Sequence, residues 1–186
     1  MKLTDYQHEA LKTAIYPIDR ELDYTVLGLL SEVGELGEAY SEGKISDWGF
    51  TALVIEKLFS EAGDCYWYTA AVADALNTSL EDVVFLLNGR SELLKFTRSR
   101  GLTILEIVKA ASDIAGFVKK AIRDNDGYLS DKASEGIKIS LGIVFLQLDH
   151  LATLFGGNGV AIRAKNLNKL ADRAARGVLA GSGNTR

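Results

Sequence analysis

In the stretches "LGLLSEVGELGEAY", "EAGDCYWYTAAVADALN" and "SLGIVFLQLDHLATLFG", apolar residues return every three or four positions, the spacing of one face of an α-helix. Pro17 is the only proline, so most of the chain is free to continue such a pattern. The spacing predicts a short helix near residues 4–15, stopped by Pro17, and a second from about 21 to 42 with Gly43 as its C-terminal stop. A third runs roughly from 50 to 76. Ser79 with Asp82 three residues on resembles a capping box and opens a helix reaching about Arg98. Gly101 then reads as a stop, with Thr103 and Glu106 as a fresh box for a helix to about Arg123. "DNDG" is a turn, a long helix runs from Ser130 to Phe155, and "GGNG" separates it from a last helix over 161–176. The glycine-rich ending "GVLAGSGNTR" reads as irregular. This is an all-α protein, a helical bundle in one domain over residues 1–186.

The order of these elements repeats. "LGLLSEVGELGEAY" is answered by "VKAASDIAGFVKKA", and "EAGDCYWYTAAVADALN" by "SLGIVFLQLDHLATLFG", at an offset of about eighty residues. The pattern is that of an internal duplication, with one copy near 21–101 and the other near 103–177. Helix succession and the placing of small residues carry it more than identities do.

Composition narrows the function classes. A chain of 186 residues, 47% hydrophobic, can bury a substantial core. A net charge of -4 gives no overall basic field for a nucleic-acid polymer, although the last quarter is locally basic. No run approaches the roughly twenty apolar residues of a membrane span, and no leader pattern opens the chain. With a single cysteine, Cys65, neither a disulfide framework nor a cysteine-rich zinc site can be built, and the expectation is a cytoplasmic protein.

The candidate chemistry is carboxylate. Glu32 and Glu35 stand three apart on one predicted helix, and Glu61 and Asp64 three apart on the next long one. Leu29, Leu30, Val33 and Leu36 beside the first pair, and Phe59, Trp67 and Tyr68 beside the second, mark both faces as partly buried. Four carboxylates brought together there repel one another, and a hard cation such as Mg²⁺, or Mn²⁺, resolves the repulsion through oxygen ligands. A pair of acids at this spacing is also what an ordinary solvated helix face carries. The second copy keeps only Asp113, with Ser140 and Ile143 where the first has Glu61 and Asp64.

Three stretches, "YTVLGLLSEVGELGEAY", "EAGDCYWYTAAVADALNTSLEDV" and "NLNKLADRAARGVLAGSGNTR", resemble the signatures of the MazG-like nucleoside triphosphate pyrophosphohydrolases, of the all-α NTP pyrophosphatase superfamily. The family's metal motif, E-x-x-E followed by E-x-x-D, is matched at Glu32, Glu35, Glu61 and Asp64. The resemblance implies Mg²⁺-dependent hydrolysis of a (deoxy)nucleoside triphosphate to the monophosphate and pyrophosphate, for house-cleaning or adjustment of a dNTP pool, with Glu32 or Glu35 orienting or deprotonating the attacking water. It also implies help between neighbouring subunits, since family members are dimers or tetramers of dimers.

This chain departs from the usual single-copy member. Its basic stretches "KKAIRDNDG" and "NLNKLADRAARG" both stand in the second copy, so the resemblance reads as a fused pseudo-dimer with one metal site, and pairing of whole chains stays open. Lys119, Lys120, Arg123, Lys169, Arg173 and Arg176 become candidates for phosphate contacts. Basic residues late in a helix are equally what the macrodipole favours. Asn166 and the tail 181–186 match the family ending, although Asn184 stands where Asp is usual. Tyr66, Trp67 and Tyr68 offer a base-stacking wall, or core packing. His8 and His150 belong to no acid–base pattern. The alternative function is a catalytically silent nucleotide- or metal-binding module, or a protein-interaction module, of the same fold. A di-iron bundle, which needs Glu-x-x-His pairs, has no support in the sequence.

Overall fold

The computed structural model describes residues 1–180, so the tail 181–186 with Asn184 lies outside the described residues. Among the described residues there is no strand, and seven α-helices form one bundle: α1 (Leu3–Leu11), α2 (Glu21–Ile45), α3 (Ala52–Ala75), α4 (Leu80–Phe85), α5 (Arg100–Asn125), α6 (Asp131–Leu154) and α7 (Gly159–Ala175). The fold is all-α, as the apolar spacing requires.

Two long antiparallel hairpins, α2–α3 and α5–α6, make the frame; α3 packs on α6 and α2 on α5. The short α1 and α4 lie against this frame, and α7 lies along α3. A single core runs through it, with Leu29, Leu36, Leu58 and Tyr66 from the first hairpin and Ile107, Ile114, Leu141 and Leu148 from the second. Helix α6 is long and apolar enough to cross a membrane, but Ile137, Leu141, Val144, Phe145 and Leu148 along it are the centre of this core. Its hydrophobicity has a sufficient cause in packing.

The caps explain where the helices begin. Thr51, Ser79, Ser99 and Ser130 each accept from the backbone N–H three residues on, and Asn158 from those of Val160 and Ala161. At Ser79 half of the predicted box is formed: the hydroxyl accepts from the Asp82 N–H at 3.0 Å, and the Asp82 carboxylate accepts from that same hydroxyl at 2.6 Å.

Three expectations about boundaries need correction. Gly43 is no stop: it lies inside α2, where a Cβ would come within 2.3 Å of the Phe50 ring, so close packing rather than turning requires the glycine. Gly101 likewise lies inside α5, which is capped by Ser99, while Thr103 donates its hydroxyl to the Ser99 carbonyl. The helix expected to reach Arg98 ends at Phe85, and the chain turns at Gly89 with φ of +83°. Its later carbonyls find partners on α6 instead: Gln147 Nε2 donates to the Lys95 carbonyl at 3.2 Å, and His150 Nε2 lies 2.7 Å from that of Thr97. Tertiary hydrogen bonds there replace the helical ladder.

Candidate metal centre

Helices α2 and α3 carry the acids. Glu32 projects from the middle of α2, and Glu61 and Asp64 from the middle of α3, one turn apart. One oxygen from each of the three can be chosen so that all lie within 4.8 Å of one another. Glu61 is only 2% exposed, while Glu32 and Asp64 are partly buried. The close approach of the two helices near this point is allowed by Gly28 on α2, since a Cβ there would fall 2.0 Å from Tyr68 Cε1.

Glu35, the fourth acid of the expected set, is exposed and lies outside the close trio. It is still near enough that its charge acts on Glu32. A residue three positions on is rotated by about 60° around the axis, enough to move Glu35 from the α3-facing side to the rim.

Burial is the largest influence on Glu32 and pushes its carboxyl up to about 8; the charges of Asp64, Glu35 and Glu61 push the same way, and Lys169 opposes them. The ordinary carboxylate value is reversed because this oxygen is removed from water and surrounded by like charge. At Glu32 burial and the repelling charges together outweigh the help of Lys169.

Among the described residues, Lys169 brings a positive charge to the trio. Lys169 on α7 donates to both oxygens of Asp64, at 2.8 and 2.5 Å, and lies 3.4 Å from Ser60 Oγ. Beside it, Asn166 Nδ2 donates to Asp64 Oδ1 at 2.7 Å. Asn166 can come so close because residue 63 of α3 is glycine, whose Cβ would stand 3.0 Å from that of Asn166. Asn166 Oδ1 is buried and has no hydrogen-bond partner among the described residues.

Helix α7 is held in this position by a buried guanidinium that sequence reasoning passed over. Arg163, 5% exposed, donates to Asp149 Oδ1 at 2.8 Å, and that same oxygen accepts from the Tyr66 hydroxyl at 2.6 Å. The guanidinium lies over the rings of Tyr66 and Phe145, 4.7 and 4.8 Å from their centroids. A signal existed: Arg163, Asn166, Lys169 and Arg173 recur at helical spacing, so α7 turns a polar stripe inward. Arg173 is buried on that stripe; Arg176, at the helix end, pairs with Asp172 at 2.8 Å.

The remaining basic candidates are elsewhere. Lys119 and Lys120 are exposed on α5, and Lys119 borders a groove with Leu27 and Leu30 of α2. Leu30 and Glu32 are two positions apart and point to different faces of α2, so this groove is not the acidic one. Arg123 is engaged by its neighbour Asp124 through two hydrogen bonds of 2.6 and 2.7 Å. The structure does not bring these three to the acids: the basic side chain beside Asp64 is Lys169 of α7, not one of α5.

The aromatic run is mainly packing. Tyr66 is fully buried, Trp67 donates its indole N–H to the Ala10 carbonyl at 2.9 Å, and Tyr68 is wedged against Gly28 and Trp67. Tyr68 is close enough to Glu32 and Asp64 for their charges, after burial itself and its neighbour Tyr24, to raise its hydroxyl pKa. Cys65 is wholly buried and burial pushes its thiol up. His150 serves the loop contact described above, and His8 is exposed on α1.

Comparison with curated proteins gives the Gene 37 protein of Mycobacterium phage L5, 36% identical over 80 residues, covering 43% of this chain and 70% of that protein. The chain belongs to the family of that phage protein. Within the Gene 37 protein family this chain is the longer of the two, since the same matched stretch is a smaller share of it. No family model and no solved structure matches the chain.

Proposed function

We propose that this protein is a metal-dependent nucleoside triphosphate pyrophosphohydrolase of the MazG-like kind, cleaving a (deoxy)nucleoside triphosphate to the monophosphate and pyrophosphate. The convergence of Glu32, Glu61 and Asp64 within 4.8 Å is the observation that carries the reading. Three carboxylate oxygens this close, one belonging to a group whose pKa is raised to about 8, suit a hard divalent cation such as Mg²⁺ or Mn²⁺. Glu32, Glu61 and Asp64 would hold it, and once bound it supplies charge for the phosphate oxygens and acidifies a water.

The chain's own groups account for the rest. Glu35, at the open rim, orients a water molecule or takes its proton. Asn166 and Lys169 fix the Asp64 carboxylate in one orientation, and Lys169 is the cation placed to meet a phosphate that approaches the acids. In this reading the two helix hairpins are fused copies of one ancestral unit, the first bearing the acids and the second lending α7. A cytoplasmic protein acting on free nucleotides, without a nucleic-acid polymer or membrane as partner, follows from the same reading.

A silent binding module is the second reading, and one observation favours it: Lys169 already engages both oxygens of Asp64, as an internal counter-ion would. The decisive experiment is release of pyrophosphate from a panel of nucleoside triphosphates with and without Mg²⁺. Metal-dependent release that Asp64→Asn abolishes supports the enzyme. Nucleotide binding with no release from any member of the panel supports the silent module.

A further inference from the structure

A cavity of about 610 Å³ lies between α3 and α7. Ile55, Phe59 and Ile162 give it an apolar lining, Ala52 and Ala161 leave room at its two walls, and Ser60, Asn166 and Lys169 close one side. Those last three are the residues linked to Asp64: Asn166 and Lys169 bond it, and Ser60 lies against Lys169. Cavity and acidic cluster therefore share a wall. Along α3, Ser60 lies one turn and Ile55 between two and three turns before Asp64, roughly 6 and 13 Å along the axis, which is the span from a phosphate to the far edge of a nucleobase.

Two further features select the ligand. Phe59 is partly exposed with its ring edge against Gly157, where a Cβ would stand 2.4 Å from Phe59 Cζ. Asn166, 3% exposed, forms part of the wall, and its amide orientation follows from Asp64: a carboxylate only accepts, so nitrogen faces it and Oδ1 is left as an acceptor with no hydrogen-bond partner among the described residues. A spare acceptor on an amide that lines an apolar recess favours a flat group presenting an N–H.

We propose that this cavity is the base subsite: it takes the heteroaromatic base of the nucleotide, stacked on Phe59 with an N–H edge toward Asn166, while the phosphates lie at Glu32, Glu61 and Asp64. The inference rests on the pyrophosphohydrolase reading and adds where specificity is set. Tyr68, wedged between α2 and α3, is a spacer and not the stacking platform.

Filling the cavity from either wall tests this, because Ala161 and Ala52 are exposed on opposite helices and neither belongs to the acidic trio or to the groups that bond Asp64. The probes are α,β-methylene analogues of the common dNTPs and inorganic tripolyphosphate, each titrated calorimetrically with Mg²⁺ into wild type, Ala161→Phe and Ala52→Phe. The expected result is a loss of tenfold or more in affinity for the analogues that wild type prefers, with tripolyphosphate binding unchanged in both variants. Analogue affinities equal to wild type in both variants would overturn the base subsite and leave the pyrophosphohydrolase reading intact. Wild type binding neither analogues nor tripolyphosphate would overturn that reading, and the subsite with it. Mn²⁺ binding and far-UV circular dichroism identify a variant that has misfolded, and the other wall's variant then decides.

Discussion

The two hairpins of the bundle share a design and differ in chemistry. α2 and α3 have 25 and 24 residues, α5 and α6 have 26 and 24, and each pair packs antiparallel, around buried leucine and valine in the first and leucine, isoleucine and valine in the second. In the first hairpin the mid-helix positions hold Glu32, Glu61 and Asp64 face to face. In the second, Ser140 is buried, Ile143 packs against the core, and Asp113 is an exposed partner of Lys109 at 2.9 Å. A bundle of this kind evidently has no structural need for inward acids. Their presence in one hairpin, with a Glu32 carboxyl pushed up to about 8 by burial and like charge, is a destabilising arrangement of the sort found at functional sites.

Replacing one acid in each hairpin gives the sharpest contrast. Asp64→Asn should lower pyrophosphate release at least about a thousandfold, equivalent to roughly 4 kcal/mol of transition-state stabilisation, with the circular dichroism spectrum of a helical bundle retained. Asp113→Asn should leave the rate within about twofold, since an exposed i,i+4 pair contributes only about 0.3 to 0.5 kcal/mol to stability. Glu35→Gln belongs between them, at about ten- to a hundredfold, because the residue sits at the rim. Equal losses from the Asp64 and Asp113 variants would make both hairpins working sites and end the comparison.

Lys169 links the hairpins through α7, and its removal should act on metal and substrate in opposite senses. With Lys169→Met the Asp64 carboxylate loses its ammonium partner, so Mn²⁺ should bind about three- to tenfold more tightly. A phosphate contact is lost at the same time, and kcat/KM should fall about ten- to a hundredfold. Metal titration and steady-state kinetics on the same variant distinguish this from a purely structural role, for which both would stay near wild type.

What could be read in advance follows from the range of the signal. Two pairs of acids on partly buried helix faces were legible because helical spacing fixes which residues share a face, and both helices announce their buried sides with leucine and aromatic neighbours; three of the four acids come together. The position of Glu35 at the rim depends on the rotation of α2 against α3, which Gly28 and Tyr68 set by contact. Lys119 and Lys120 looked equivalent to Lys169 because a basic residue does not reveal which helix will lie opposite. The segment 86–98 looked helical locally, and it is Gln147 and His150, some fifty residues away, that draw its carbonyls out of the ladder. Gly43 and Gly101 looked like stops because glycine serves turning and close packing alike.

Glu32 makes the stability of the metal-free protein depend on pH in a way the second hairpin cannot reproduce. In the folded chain its carboxyl holds its proton up to about 8, while the unfolded chain releases it near the ordinary 4.5. Between those values the folded state binds more protons, so stability is fully present below the lower one and is lost as pH rises toward the upper one. Because Glu32 is partly exposed, the loss should be discounted to on the order of 1 to 2 kcal/mol. Thermal unfolding in chelator should show a melting temperature that falls between pH 5 and 8, with the fall reduced in Glu32→Gln and by added Mg²⁺. A slope unchanged by that variant would mean that the acids are not crowded in solution.

The smallest effect concerns the bases on α5. Lys119 and Lys120 are exposed, and Lys119 borders a groove walled by Leu27, Leu30 and Ile122 on the opposite side of α2 from Glu32. Neither has a position from which to meet a phosphate at the acids, so the double variant Lys119→Ala/Lys120→Ala should keep kcat/KM within about twofold. The two ammonium groups stand more than a turn before the C-terminal end of α5, whose last-turn base is Arg123, so the helix dipole gains little from them and losing them should cost at most about 0.3 kcal/mol of stability. Kinetics and thermal unfolding on this one variant set the limits of the site. A tenfold fall in kcat/KM with an unchanged melting temperature would bring α5 into the substrate path, and the division between an acidic hairpin and a supporting one would have to be redrawn around both.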